Sequence, residues 1–380
     1  MQGLLPGSNP FLSARYLAAS TPEVVGMEDT FTDEMPESVG QCRVERKIGE
    51  GGMGSVYLGR HKTLDIPVAI KLLPKHIDLK DPEYSQRFSR EAKIAARLRH
   101  PNLVQVHDYG AEAGYYYLVM DYVEWPTCSE EVQRLGQLDW RRAVDITSQV
   151  SEGLEYAASK GIIHRDVTPG NIILDADGTA RITDLGLAKE TTADATGLTR
   201  SGASLGTPYY MSPEQINSAR DVDFRTDIYS LGATLYHMVC GKVPYTGTTF
   251  EVMTKQVREP LPSPKIHVPE LPDDLCDVIR KMMAKSPGDR YENYKALRED
   301  LANLLEGKSV SASGFTDQSM VTQMPFADGI PPEDQMADVS QEKTHLANPP
   351  APKSKASTLL IVLVIGVLVA LAIVAFTLFR

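Results

Sequence analysis

The sequence predicts an α+β chain of two lobes, a small β-rich lobe followed by a larger helical one, with one membrane-spanning helix near the C-terminal end. Three observations predict it. Residues 55–61 and 66–74, "SVYLGRH" and "IPVAIKLLP", are β-branched and apolar between turn residues. After Trp125 the apolar spacing turns helical, most clearly over residues 139–161 and 227–241, each closed by a glycine. Residues 358–379, "TLLIVLVIGVLVALAIVAFTLF", carry no charge, and as a helix they would extend about 33 Å, enough to cross a bilayer core.

Taken in order, residues 1–41 are acidic, carry Pro, Ser and Thr, and read as a disordered tail. The folded domain runs over 42–306, where Gly307 reads as a helix stop. Within it a helical stretch at 83–99 leads to two further strands, "LVQVHDYG" (103–110) and "YYYLVMDYV" (115–123). Residues 307–357 are rich in Ser, Pro, Gln, Ala and Asp and read as a flexible juxtamembrane linker. Lys353 and Lys355 precede the span and only Arg380 follows it, which orients the domain to the cytoplasmic face of a cell inner or plasma membrane. A net charge of −11 argues against a nucleic-acid partner. Cys42, Cys128, Cys240 and Cys276 form no CxxC pair and read as small buried thiols in a reducing compartment, not as a metal site.

Several stretches carry chemistry. "IGEGGMGSV" comprises Ile48, Gly49, Glu50, Gly51, Gly52, Met53, Gly54, Ser55 and Val56. Its glycines allow a backbone to approach a phosphate closely, but a ligand-free hairpin tip has the same composition. Because strand-like sequence follows, the loop joins two strands and does not open a helix, which separates it from the dinucleotide-binding turn. Lys71 sits in the apolar strand "VAIKLL", where an unpaired ammonium is costly. Glu91 shares the helix face of Phe88, Ala92 and Ala95 and offers it a partner; a solvated pair with Arg87, four residues back, is the alternative. "NIILDADGTARITD" (171–184) reads as a hairpin with a two-residue Asp177-Gly178 turn, which would set Asn171 opposite Asp184 at its open end. An amide oxygen and a carboxylate there suit Mg²⁺. Asp166, five residues before Asn171, would be placed to orient or accept a hydroxyl proton.

In this order the motifs closely resemble the eukaryotic-like (Hanks-type) serine/threonine protein kinases, of the bacterial membrane-anchored kind. The glycine loop, "VAIK", "HRDVTPGN", "DLG" (184–186) and "SPE" (212–214) carry the resemblance over about 42–306. It implies a two-lobed kinase fold, ATP and Mg²⁺ as cofactors, and Ser/Thr hydroxyls of proteins as acceptors, the chain itself included. By the same resemblance Lys71 holds phosphates and pairs with Glu91, Asp166 is the catalytic base, and Asn171 and Asp184 hold the metal. Met120 would back the adenine pocket, the backbones of Asp121 and Val123 would bind the base, and Ala69 would pack on it. Thr199 and Ser201 become candidates for regulatory phosphorylation, read through Arg165. Thr207 would face Asp166, and Glu214 would pair with Arg290. The tails could recruit phosphothreonine-binding partners, with Thr30 as a handle, and two copies of the chain could meet as a homodimer. Thr168 departs from the family, which usually has a lysine there. The departure implies a slowed kinase or, alternatively, an ATP-binding pseudokinase or scaffold.

Overall fold

The computed structural model describes residues 35–51, 54–74, 84–185, 208–217 and 222–317. The first lobe is an antiparallel sheet in the order β1-β2-β3-β4-β6-β5, built from β1 (Ser38–Val39), β2 (Cys42–Gly51), β3 (Gly54–His61), β4 (Pro67–Pro74), β5 (Val106–Glu112) and β6 (Tyr115–Asp121). Alternation along β4 divides its side chains between two faces. Val68, Ile70 and Leu72 turn to one, with Val39, Cys42, Val44, Tyr117 and Val119. Ala69 and Leu73 turn to the other, into the main core, and Lys71 alternates with them on that side. Helix α1 (Tyr84–Ala95) covers it, with Phe88 against Tyr116 at a centroid distance of 5.1 Å. The helical spacing over 83–99 therefore ends early, where Arg97 and Leu98 donate to the carbonyls three residues back and tighten the last turn.

The second lobe is helical: α2 (Cys128–Leu135), α3 (Trp140–Ser159), α4 (Pro213–Asn217), α5 (Arg225–Cys240), α6 (Thr249–Arg258), α7 (Asp273–Met282) and α8 (Tyr294–Leu305). Helix α5 is buried almost all round, as a central helix must be. Gly241 closes it at φ +65°, and a side chain there would lie 1.9 Å from the Gly136 carbonyl oxygen; both facts require glycine. A two-stranded hairpin, β7 (Ile172–Leu174) and β8 (Ala180–Ile182), lies beside α3. All four cysteines are buried and free, and burial pushes the Cys128 and Cys240 thiols up to about 12, so they are inert.

Both domain edges extend past the expected limits of 42 and 306. β1 pairs with β2 ahead of Cys42. At the other end, residues 307–317 are packed chain, in place of the first part of the flexible linker. Val310 and Ala312 are buried. The buried Asp300 carboxylate accepts Ser311 N–H at 2.6 Å, Ser311 Oγ at 2.7 Å and Ala312 N–H at 3.1 Å. Gly314 N–H donates to Asp277, and Lys285 N–H to Asp317. Composition alone suggested a tether; two small apolar side chains and a buried acceptor decide otherwise. Residues 1–34 of the acidic tail, residues 318–357 of the linker and the apolar run 358–379 lie outside the described residues. Among the described residues no helix is long and apolar enough to cross a membrane.

Lys285, whose backbone N–H is held by Asp317, has a buried side chain. Its ammonium donates to Tyr245 Oη at 2.9 Å and to the Gln256 carbonyl at 2.8 Å, and lies 4.8 Å from the Tyr245 ring centroid. Burial pushes it down to about 7; Asp317 and Glu259 pull it back up, and Arg290 adds to the depression. Above about pH 7 the native chain releases a proton that the unfolded chain keeps to about pH 10. Stability from this site therefore rises with pH across that window, with a slope of at most about 1.4 kcal/mol per pH unit. Urea unfolding of wild type and Lys285→Met at several pH values should show the two curves diverging in that sense, and parallel curves would remove the titration from Lys285.

Candidate functional site

The site is assembled where β4 and β6 meet the hairpin and the loop before it. On β4, Ala69 lies opposite Met120 and Lys71 opposite Leu118. Ala69 and Met120 are both buried, and Thr183 Oγ1 contacts Met120 Sδ at 3.6 Å. Asp121 ends β6, and its N–H donates to the Gln105 carbonyl at 3.0 Å, so what its backbone can offer a bound base is its own carbonyl. Val123 follows in the linker to α2, whose start is set by a capping box of Thr127 and Glu130.

The Lys71 ammonium forms its ion pair with Asp184, at 2.7 Å. Among the described residues the expected Lys71–Glu91 pair is not formed; Glu91 lies half-buried on α1. The hairpin explains why Asp184 is within reach. Its register pairs Ile172 with Ile182 and Leu174 with Ala180, one step from the expected alignment. The loop has three residues, Ala176-Asp177-Gly178, with Gly178 N–H donating to Asp175 and Gly178 at φ +87°. A type I turn followed by a left-handed glycine adds the residue that shifts the register. Asn171 therefore bonds Thr183, whose N–H donates to its carbonyl at 2.9 Å. Asp184 follows at φ +60°, a left-handed conformation uncommon outside glycine, though Asp is among the residues that adopt it most readily.

Asn171 Nδ2 donates to the Asp166 carbonyl at 2.9 Å and to Asp166 Oδ2 at 3.2 Å. The loop carrying Asp166 hangs on α5. The buried Asp227 carboxylate accepts the N–H of His164 at 2.8 Å and of Arg165 at 2.7 Å. Burial raises the Asp227 carboxyl, while His164 and these two N–H bonds oppose the rise. Thr234 Oγ1 donates to the Val167 carbonyl at 3.1 Å, and His164 Nε2 meets the Thr183 carbonyl at 2.8 Å. A hydrogen-bonded chain thus runs from Asp166 through Asn171 and Thr183 to the residue that holds Lys71. Sequence reasoning missed Asp227; the readable signal was a lone carboxylate in the helical stretch 227–241. Leu185 is buried in the core as the apolar residue after Asp184.

Gly54 is required by the protein itself, since a side chain there would meet the Leu72 carbonyl oxygen at 2.2 Å. Gly52 and Met53 lie outside the described residues, as do Gly186, Thr199, Ser201 and Thr207. Glu50 and Ser55 are paired across the β2–β3 hairpin, as are Gly49 and Val56, and Ile48 is exposed at the register shift between Lys47 and Gly49. Thr168 is half-buried and precedes the Pro169–Asn171 turn. Glu214 and Arg290 form the expected pair, bidentate at 2.6 and 2.7 Å. Burial alone would raise the Glu214 carboxyl, but the Arg290 guanidinium more than offsets it and holds it below the usual carboxylate range.

The donor set fits a hard divalent cation. Asn171 spends its amide hydrogens on Asp166, leaving Oδ1, and Asp184 gives Oδ1 to Lys71, leaving Oδ2. A β-lobe over a helical lobe, with an ammonium, two carboxylates and an amide converging between them, defines a class of two-lobed nucleotide-binding folds. Residues 42–301 match the protein kinase domain family, and the chain belongs to it. It is 34% identical over 308 residues to the serine/threonine-protein kinase PrkC of Bacillus subtilis, covering 80% of this chain and 46% of that one. It is 35% identical over 301 residues to the serine/threonine-protein kinase PknB of Mycolicibacterium smegmatis, covering 78% and 47%. The chain spans about half the length of these relatives. Among solved structures, the PknI kinase domain of Mycobacterium tuberculosis superposes with a TM-score of 0.58 at 28% identity, covering 72% of this chain and 100% of that one.

Proposed function

We propose that this chain is an ATP-dependent protein serine/threonine kinase, held at the membrane by residues 358–379 with its catalytic domain on the cytoplasmic side, and able to phosphorylate itself. The Lys71–Asp184 ion pair, joined to the Asp166–Asn171 hydrogen bonds, carries this reading. In the reaction a substrate hydroxyl oxygen bonds the γ-phosphorus as the bond to the β–γ bridging oxygen breaks and ADP leaves. Asp166 orients the hydroxyl and takes its proton; Lys71 neutralises phosphate oxygens. When bound, Mg²⁺ supplies further positive charge to the phosphates and would be held by Asn171 and Asp184. The uncharged run and the lysines before it support the membrane attachment. Thr199 and Ser201 are proposed as self-modified hydroxyls, and phosphothreonine-reading proteins and a second copy of the chain as partners.

A second reading, an ATP-binding pseudokinase, rests on Thr168, which brings a hydroxyl where the family usually has an ammonium. One assay separates the two. The full chain is incubated with labelled ATP and a basic acceptor protein, with Mg²⁺ or with chelator. Label in acceptor and chain with metal alone is expected; equal label in both mixtures would defeat the kinase reading, and nucleotide binding without label would favour the second. Thr168→Lys should raise turnover, by as much as about 10²-fold if the missing charge limits the rate. An unchanged rate would mean another group already compensates.

A further inference from the structure

We propose that Gln215 is a positioning residue for the catalytic loop: its side-chain amide pins the Arg165–Asp166 peptide from helix α4, the element that follows the segment 186–207. The inference rests on the kinase reading of Asp166.

Arg165 has φ +61°, a left-handed conformation that a bulky residue keeps only when its surroundings over-determine it. Its N–H is held by Asp227 on α5. Its carbonyl, which belongs to the next peptide, the one to Asp166, accepts Gln215 Nε2 at 2.9 Å, and the N–H of that peptide donates to His164 Nδ1 at 3.2 Å. The amide cannot turn over without loss. Gln215 Oε1 accepts the Ser212 N–H at 3.1 Å, so the NH₂ end must face Arg165. Gln215 N–H in turn donates to Ser212 Oγ at 3.3 Å. Ser212 is fully buried and its hydroxyl meets Thr226 Oγ1, which donates to Glu214 at 2.7 Å.

Beside the bonds from Asn171 and the hairpin, the helical groups that hold the catalytic loop come from two helices. Asp227 and Thr234 belong to α5, which is fixed by burial. Gln215 belongs to a five-residue helix tied to the lobe by the Glu214–Arg290 pair. A shift of α4 would be felt at the peptide that carries Asp166, whereas the α5 contacts would stay. This gives α4 a route to the proton acceptor that needs no contact with nucleotide.

The test uses the full chain and two variants. Gln215→Glu keeps the acceptor for Ser212 but turns a carboxylate oxygen on the Arg165 carbonyl. Gln215→Met removes both bonds without adding charge and keeps the test open if Gln215→Glu does not fold. Hydrogen exchange of a peptide covering 162–171 should quicken about tenfold in either variant, while a peptide covering α5 is unchanged. In transfer assays kcat should fall about tenfold with KM for ATP within about twofold of wild type, since only the placement of the proton acceptor is disturbed. Unchanged exchange at 162–171, or exchange quickened equally over α5, overturns the inference. If wild type itself transfers no label the kinase reading fails, and the exchange measurement still decides whether Gln215 pins the loop.

Discussion

Asp166→Asn should lower the rate of phosphoryl transfer by about 10²–10⁴-fold, the usual worth of a positioned proton acceptor, and leave nucleotide binding nearly intact. The reason lies in how the site is divided. Lys71 and Asp184 hold each other without Asp166, and Ala69 and Met120 line the sheet side. Asn171 donates to the Asp166 backbone carbonyl as well as to its side chain, so the loop keeps one of the two bonds whatever stands at 166. The substituted amide has the same size and still accepts through its oxygen, but it takes no proton at neutral pH. Single-turnover transfer and calorimetric titration with an ATP analogue, run on the same preparation, separate chemistry from binding. A rate within a few-fold of wild type would remove Asp166 from the reaction; a parallel loss of affinity would make its role structural.

Arg290→Met should destabilise the domain by about 3–5 kcal/mol, the usual cost of orphaning one partner of a buried ion pair. The guanidinium is fully buried and donates to both Glu214 oxygens and to the carbonyls of Ala284 and Arg225. Methionine fills similar volume but satisfies none of these acceptors, and leaves a carboxylate charged beneath the surface. Glu214→Gln should cost less, because the amide oxygen still accepts one bond, and the double variant should cost less than the sum of the two. The pH dependence has a definite sign. The Glu214 carboxyl is held below its unfolded value, so the pair contributes its full stability above about pH 4.5 and loses it as pH falls through the lower native value. Equilibrium urea unfolding at neutral and acidic pH measures both effects. A loss below about 1 kcal/mol would mean that the lobe relaxes around the vacancy.

Much of this site was legible because its chemistry depends on residue type and order. The strand pattern around Lys71 and the helices closed by Gly161 and Gly241 are formed as the spacing implies, and the Glu214–Arg290 pair as the family resemblance implies. The errors are geometric. One extra residue in the Ala176–Gly178 loop moves Asn171 from Asp184 to Thr183, and no composition signal distinguishes a two-residue from a three-residue loop around the same Asp-Gly pair. The partner of Lys71 is equally invisible in sequence, since Asp184 and Glu91 are both carboxylates and only the fold says which is within 4 Å. Gln215 and Asp227 act through backbone groups, and a backbone hydrogen bond leaves no mark on the residue type it serves. The docked residues 307–317 were hidden by small side chains: Val310 and Ala312 bury little area, and serines suit a loop as well as a carboxylate cap.

That docked stretch changes where the catalytic unit ends. A fragment trimmed at the last residue of the family match, or at Glu306, would keep Asp300 yet discard three of the four hydrogen-bond donors it has among the described residues, leaving Tyr291 of those four for a buried carboxyl group. Homology draws the frontier of this domain several residues inside its thermodynamic one, and the excluded residues form a keel rather than a leash.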